Sequence, residues 1–344
     1  MLELTEAETQ LLIALIELAQ PKETPNNNFY TFYPKTLTEA STYFRCYLLD
    51  WTEAYHNLLA KKLIYQDGDG YRLTEQGFAV ANQLRDERPP IWYWYQELFA
   101  ATAVSPAYAA FCEQLYGKNL AQAGFSDMAQ IDMLLQVTSL SDQSRVLELG
   151  CGLGMVAEYL SDTTGAAITG LDYSPMAIEL ARKRTESKRR RLTFQVGNMD
   201  ALDYPDASFD TIISIDTLYM PAKLDETMAR MKAILTPGGQ MAIFYSEFLF
   251  GSDNRDVLLP DHNALARALR QNGLAYQTYD FTESTYRLMQ RKRQLAESMR
   301  ADFVAEGREF LYDHLVTESE SSQEPFNPAT YTVSRYLYHV TKSE

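Results

Sequence analysis

Apolar side chains recur at helical intervals through TEAETQLLIALIELAQ, residues 5–20, and Thr5 precedes Glu8 at the spacing of an N-terminal capping box. The same period predicts a second helix over roughly 36–48 and a third over TEAYHNLLAKKLI, residues 52–64. Then the period shortens to two. LIYQDGDGYRLTEQG reads as two short strands joined by Asp-Gly-Asp-Gly, a strong hairpin signal, and FAVANQLRDE supplies a further helix. Pro89 and Pro90 should stop that helix and mark a domain joint. A strongly aromatic helical segment follows over 89–125, with Trp92, Tyr93, Trp94, Tyr95, Tyr108 and Tyr116 available either for packing between domains or for the wall of a pocket. From 126 to 344 strand-like and helical patterns alternate, the order of an α/β doubly wound sheet.

Three helices, a hairpin and a helix within residues 1–88 resemble a winged-helix domain, a module used either on DNA or for dimerisation and substrate enclosure. Charge favours the second use. Residues 1–88 carry eight Lys or Arg against thirteen Asp or Glu, and the whole chain of 344 residues has a formal net charge of −15. A nucleic acid partner needs a basic face that this balance opposes. The expected partners are therefore a small molecule and, for the N-terminal module, a second copy of the chain.

Apolar residues at 46% and charged residues at 22% describe a globular protein with room for two domains. The run LLIALIELA is broken by Glu17 and falls short of the ~20 residues of a membrane span, and the acidic N-terminus is no cleavable signal, so a cytoplasmic location is expected. Cys46, Cys112 and Cys151 are too dispersed for a disulfide framework or a Cys-x-x-Cys site. His56, His262, His314 and His339 never take the close spacing of metal ligands, and no metal is expected.

The chemistry concentrates in RVLELGCGLGMVAEYL, residues 145–160, where an apolar strand pattern ends in Gly150, Gly152 and Gly154 and a helical pattern resumes. Glycines at the carboxyl end of a strand let backbone amides approach a ligand. The loop has no Gly-Lys-Ser/Thr, which excludes a P-loop. Gly152-Leu-Gly154-Met-Val-Ala157 passes as a dinucleotide fingerprint if alanine is accepted third, so a nicotinamide-dependent oxidoreductase stays open on glycine spacing alone.

With the acid ahead of it, ELGCGLG resembles the Glu/Asp-x-Gly-x-Gly-x-Gly signature of class I S-adenosylmethionine-dependent methyltransferases. Further segments extend the resemblance in order: AITGLDYSPMAIELAR as a second strand ending in Asp172, LTFQVGNMDALDYPDASFDTIISIDTLYM as the third and fourth strands with the Pro-Asp-x-Ser-Phe-Asp linker, and MKAILTPGGQMAIFYSE as helix, Pro-Gly-Gly turn and fifth strand. The resemblance covers about residues 128–248. It implies a Rossmann-like, mostly parallel seven-stranded sheet and S-adenosylmethionine as cofactor. It also implies a cofactor site formed by Glu148, Gly150, Cys151, Gly152, Gly154, Asp172, Tyr173, Ser174, Asn198, Met199 and Asp216. Within that set Asp172 receives the ribose hydroxyls and Met199 lies against the adenine. The family places an Asp at the position of Asn198, whose amide oxygen stands in for it here.

Methyl transfer from a sulfonium is a direct displacement, so alignment and exclusion of water come first and a base is needed only if the nucleophile must lose a proton. Candidates for such a base are Asp216 and Tyr219 in SIDTLYM, although Asp216 is equally suited to orienting the cofactor. Before the final strand SRYLYHVTK a helical insertion over about 283–325, containing His314, either covers the acceptor as a lid or serves packing. The reading from a different class is a transcription regulator with a Rossmann sensor domain and a DNA-binding winged helix.

Overall fold

The structure, a computed structural model, describes residues 3–20, 34–249 and 254–343; the side chain of Cys46 lies outside the described set. The chain divides into two compact units, one ending at Leu98 and the other beginning at Phe99.

The first unit opens with α1 (Glu6–Ala19), whose capping box forms as expected: Thr5 N–H donates to Glu8 Oε2 at 2.7 Å and Glu8 N–H to Thr5 Oγ1 at 3.2 Å. Leu11, Leu12, Ile13, Ala14 and Ile16 are fully buried, making α1 the centre of this core. Around it lie α2 (Leu37–Ser41), α3 (Thr52–Ala60), the antiparallel pair β1 (Ile64–Asp67) and β2 (Gly70–Leu73), α4 (Glu75–Glu87) and the first residues of α5 (Pro90–Thr102). The prolines stop α4, which ends at Glu87, as expected, but they do not mark the division between units. Pro90 begins α5, where a missing N–H costs nothing, so the pair marks a helix start while the division between units falls further on, inside α5.

The second unit contains α6 (Pro106–Tyr116), α7 (Met128–Thr138), β3 (Arg145–Leu149), α8 (Met155–Thr164), β4 (Ala167–Asp172), α9 (Pro175–Arg184), β5 (Leu192–Val196), β6 (Phe209–Ile215), α10 (Leu224–Ile234), β7 (Leu235–Phe248), α11 (Ala264–Gln271), β8 (Ala275–Asp280), α12 (Thr282–Ser298), α13 (Arg300–Ala305), α14 (Glu309–Ser319) and β9 (Val333–Thr341). Its seven strands run in the order β5-β4-β3-β6-β7-β9-β8. The first five are parallel, and β9 enters antiparallel to both β7 and β8. Both faces are covered, as a parallel sheet requires. Met228 and Met231 of α10 and Leu265 and Leu269 of α11 share one apolar cluster, while Ile131 of α7, Leu160 of α8 and Ile178 of α9 share another. This is the doubly wound Rossmann-like sheet expected from the sequence. The insertion before β9 forms three helices, broken at Met299 and at Gly307, where φ is +67°.

Candidate functional site

The glycine loop leaves the end of β3 at the middle of the sheet, the place where an open parallel sheet binds ligands. Gly150, Gly152 and Gly154 take φ of +69°, +50° and +67°, conformations that cost an L-residue roughly 1–2 kcal/mol. The protein itself also demands them. A Cβ at Gly150 would sit 2.2 Å from Thr217 Cγ2, one at Gly154 2.3 Å from Phe194 Cε1, and one at Gly152 3.0 Å from Phe99 Cε1. The loop is stitched to β4, since the N–H groups of Gly150 and Cys151 both donate to Leu171 O, at 2.8 and 3.1 Å. The buried Cys151 thiol is pushed well above its usual range, first by burial and then by Asp172 and Glu148, and is an inert packing group.

Two acids face this loop. Asp172 ends β4 with 5% exposure; its Oδ2 accepts Gly152 N–H at 2.8 Å and its Oδ1 accepts Ser174 N–H at 2.9 Å. Burial raises its pKa to about 6, against the pull of backbone N–H groups of Ser174, Gly152 and Tyr173. Glu148, on β3, is 3% exposed, and its Oε2 has no hydrogen-bond partner among the described residues. Burial, reinforced by Asp172, lifts Glu148 to about 8. Neither acid forms a salt bridge among the described residues. The cradle is thus a buried pair of carboxyl groups with spare acceptor capacity and no protein cation, fitted to a ligand that brings hydroxyl or ammonium donors.

Other expected cofactor residues hold more local roles. Ser174 is fully buried and its Oγ caps α9 by accepting Ala177 N–H at 3.1 Å, which occupies the hydroxyl with the fold. Tyr173 is half-buried beside it. Asn198 is exposed at the end of β5 and its Oδ1 accepts Asp200 N–H at 2.9 Å, so the amide oxygen expected to meet the adenine closes a local turn. Met199 packs, partly buried, on the sheet's apolar cluster.

Asp216, just past β6, is not free to act as a base. Arg335 of β9 grips it with two bonds, Nη1 to Oδ1 at 2.5 Å and Nη2 to Oδ2 at 3.0 Å, and the guanidinium is fully buried. Arg335 also donates to Gln130 Oε1, Ser246 Oγ and Ser126 Oγ at 2.7, 2.9 and 2.6 Å. This hub ties β6, β7, β9 and α7 together and holds Asp216 at φ +56°. The Tyr219 hydroxyl is equally occupied: it donates to Asp216 Oδ1 at 3.3 Å and accepts Ser246 N–H at 2.7 Å. Both residues expected to serve as a base therefore belong to the framework.

Sequence reasoning missed Arg335, although a lone arginine in the apolar run of SRYLYHVTK was a signal. It also missed Phe99, whose ring lies against Gly152, and Glu247. Glu247 is half-buried near the carboxyl end of β7, where its Oε1 accepts Phe248 N–H at 3.4 Å, and burial raises it to about 7. The Tyr245 hydroxyl, two residues earlier on the same face, is buried without a hydrogen-bond partner among the described residues. His262 is exposed ahead of α11, and His314 Nε2 lies 3.4 Å from Glu318 Oε2 within the insertion. Among the described residues no cluster of three His, Cys, Asp or Glu groups could hold a metal, and no helix is long and apolar enough to cross a membrane.

Residues 146–239 match the methyltransferase domain family. The chain is 34% identical over 126 residues to the methyltransferase GfsG of Streptomyces halstedii, covering 36% of this chain and 44% of that one. It is 23% identical over 275 residues to phosphoethanolamine N-methyltransferase 1 of Zea mays, covering 73% and 54%. It thus spans about half the length of the curated relatives it matches. Among solved structures, phosphoethanolamine N-methyltransferase 2 of Haemonchus contortus, bound to phosphomonomethylethanolamine and S-adenosylhomocysteine, superposes with a TM-score of 0.57 at 18% identity, covering 73% of this chain and 60% of that one. That likeness establishes the fold.

Proposed function

We propose that the domain containing residues 146–239, which match the methyltransferase domain family, is a class I S-adenosylmethionine-dependent methyltransferase, and that it transfers a methyl group from S-adenosylmethionine to a small, partly apolar acceptor by direct displacement. The observation that carries this reading is the cradle: a left-handed glycine loop against two buried acids, one with an oxygen unpartnered and neither with a cation among the described residues. A cofactor bearing ribose hydroxyls, an ammonium group and a sulfonium charge matches that donor deficit.

Asp172 receives the ribose hydroxyls on the lone pairs its backbone bonds leave unused, and it holds Gly152 in place at the same time. Glu148 Oε2 takes a donor from the methionine portion. Met199 lies against the adenine, with Asn198 beside it. The cofactor supplies an activated methyl group, so the chain's own residues bind, orient and exclude water. Where the nucleophile carries a proton, Glu247 accepts it: its pKa of about 7 suits a base near neutral pH, and Asp216 and Tyr219 are committed to Arg335 and Ser246. Asp216 orients the site through its fixed position.

The N-terminal unit acts as a winged-helix-like module for dimerisation or enclosure of the acceptor, and the protein works in the cytosol. To test the function, methyl-labelled S-adenosylmethionine is incubated with classes of small acceptor that present a free hydroxyl, carboxyl or amine, phosphoethanolamine among them. Transfer of label with matching release of S-adenosylhomocysteine is expected for one of these classes. Folded protein that binds cofactor yet labels none of them would remove this acceptor assignment.

A further inference from the structure

A second buried charge cluster lies outside the cradle. Lys292 of α12 has a fully buried side chain, and its Nζ bonds Glu318 Oε2 of α14. The same ammonium donates to the Gly124 carbonyl at 3.4 Å and sits 5.9 Å from the ring centres of Tyr116 and Phe125. Gly124 O also accepts the Tyr116 hydroxyl at 2.9 Å.

The next amide points the other way. Phe125 N–H donates to Asp216 Oδ2 at 3.3 Å, and Phe125 O accepts Gln130 Nε2 at 2.7 Å. Phe125 also lies 5.5 Å from the Arg335 guanidinium, so one ring stands over both buried cations. Gly124 permits the approach, because a Cβ there would be 2.7 Å from Asp216 Oδ2. Two residues of backbone therefore join the ion pair of the insertion to the Arg335–Asp216 hub. Beyond Asp216 comes Thr217, whose Oγ1 donates to Leu149 O at 3.0 Å and whose methyl fills the space beside Gly150. The insertion also holds the start of α6, where Glu306 accepts the Ser105 hydroxyl at 2.5 Å and Ala107 N–H at 2.7 Å.

Packing alone does not call for this arrangement. An apolar pair of similar volume fills a core at least as well as a buried ion pair, which must overcome the desolvation of both charges. What the lysine adds is a directed bond to one carbonyl. We propose that Lys292 is a positioning residue, and that the Lys292–Glu318 pair fixes Gly124–Phe125 against Asp216 and through Thr217 sets the geometry of the glycine loop. The insertion is thereby a tether that tunes cofactor affinity. The link to affinity rests on the S-adenosylmethionine reading; the tether itself does not.

The test replaces both partners, K292M/E318L, so that no charge is left buried alone, and follows two readouts: hydrogen exchange of a peptide spanning 118–127, and titration with S-adenosylhomocysteine. Exchange of that peptide about tenfold faster, with β3 and β4 peptides unchanged and affinity weakened about tenfold, is expected. A folded double variant with wild-type exchange at 118–127 overturns the tether, and faster exchange at unchanged affinity overturns its coupling to the cradle. Should that variant not fold, K292Q/E318Q keeps polar groups but shortens the reach to Gly124 and carries the same expectations. Wild-type protein that binds no S-adenosylhomocysteine would sink the cofactor reading, and the exchange arm alone would then decide the tether.

Discussion

Replacing Glu148 by Gln should remove the pH dependence that this one buried acid imposes on the sheet. Glu148 is 3% exposed, its Oε2 has no partner among the described residues, and its pKa stands at about 8 against an ordinary 4.5. A folded-state pKa above the unfolded value means that the native state binds the extra proton, so stability is complete below about pH 4.5 and is lost as pH rises to 8. At about 1.4 kcal/mol per pH unit, the loss between pH 5 and pH 8 is about 3–4 kcal/mol. Glutamine carries no charge to desolvate, and its contribution is flat with pH. The expected result is two crossing curves: wild type at least as stable at pH 5, E148Q more stable at pH 8 by about 3 kcal/mol. Urea unfolding followed by far-UV circular dichroism, with hydrogen exchange of β3 and β4 peptides, is the assay, because Trp51, Trp92 and Trp94 all lie in the other unit. Saturating S-adenosylhomocysteine should shrink the wild-type loss by supplying a donor to Oε2. Parallel curves for the two proteins would refute the reasoning.

Three further substitutions probe other links. Gly154→Ala meets both φ of +67° and a 2.3 Å clash with Phe194, and should cost about 2–4 kcal/mol in thermal unfolding; a loss under about 0.5 kcal/mol would mean the loop is softer than described. Arg335→Met strands Asp216 as a buried charge and should cost about 3–5 kcal/mol, a fall on the order of 10 °C in Tm; a neutral single variant would contradict the hub. Glu247→Gln should abolish the rise of kcat/KM through about pH 7 expected of wild type, since the carboxylate accepts a proton only when ionised; superimposable profiles would remove Glu247 as the base.

What the sequence made legible was local. Thr5 with Glu8, Asp-Gly-Asp-Gly and ELGCGLG each specify their structure within a few residues, and the alternation of strand and helix that follows implies the sheet. What it hid depends on long-range pairing. Asp216 and Arg335 meet only because β9 inserts antiparallel beside β7, which brings Arg335 opposite Ser246 at the carboxyl end of the sheet. The aromatic stretch expected to be a linker is held by Glu306 and Lys292 of the insertion, partners roughly 170–200 residues away that no local period reveals. Ser174 and Asn198 were placed by resemblance, yet their side chains satisfy nearby backbone groups, an economy that Ser and Asn favour wherever a helix or turn begins.

On the function proposed above, the cradle of Glu148, Asp172 and the glycine loop binds S-adenosylmethionine. Isothermal titration of folded, ligand-free protein with S-adenosylmethionine and with S-adenosylhomocysteine tests it most directly, run beside Asp172→Ala. Micromolar binding of both ligands is expected, with a loss of more than tenfold in the variant, about 1.4 kcal/mol or more. No heat with either ligand, or equal affinity in the variant, would contradict it.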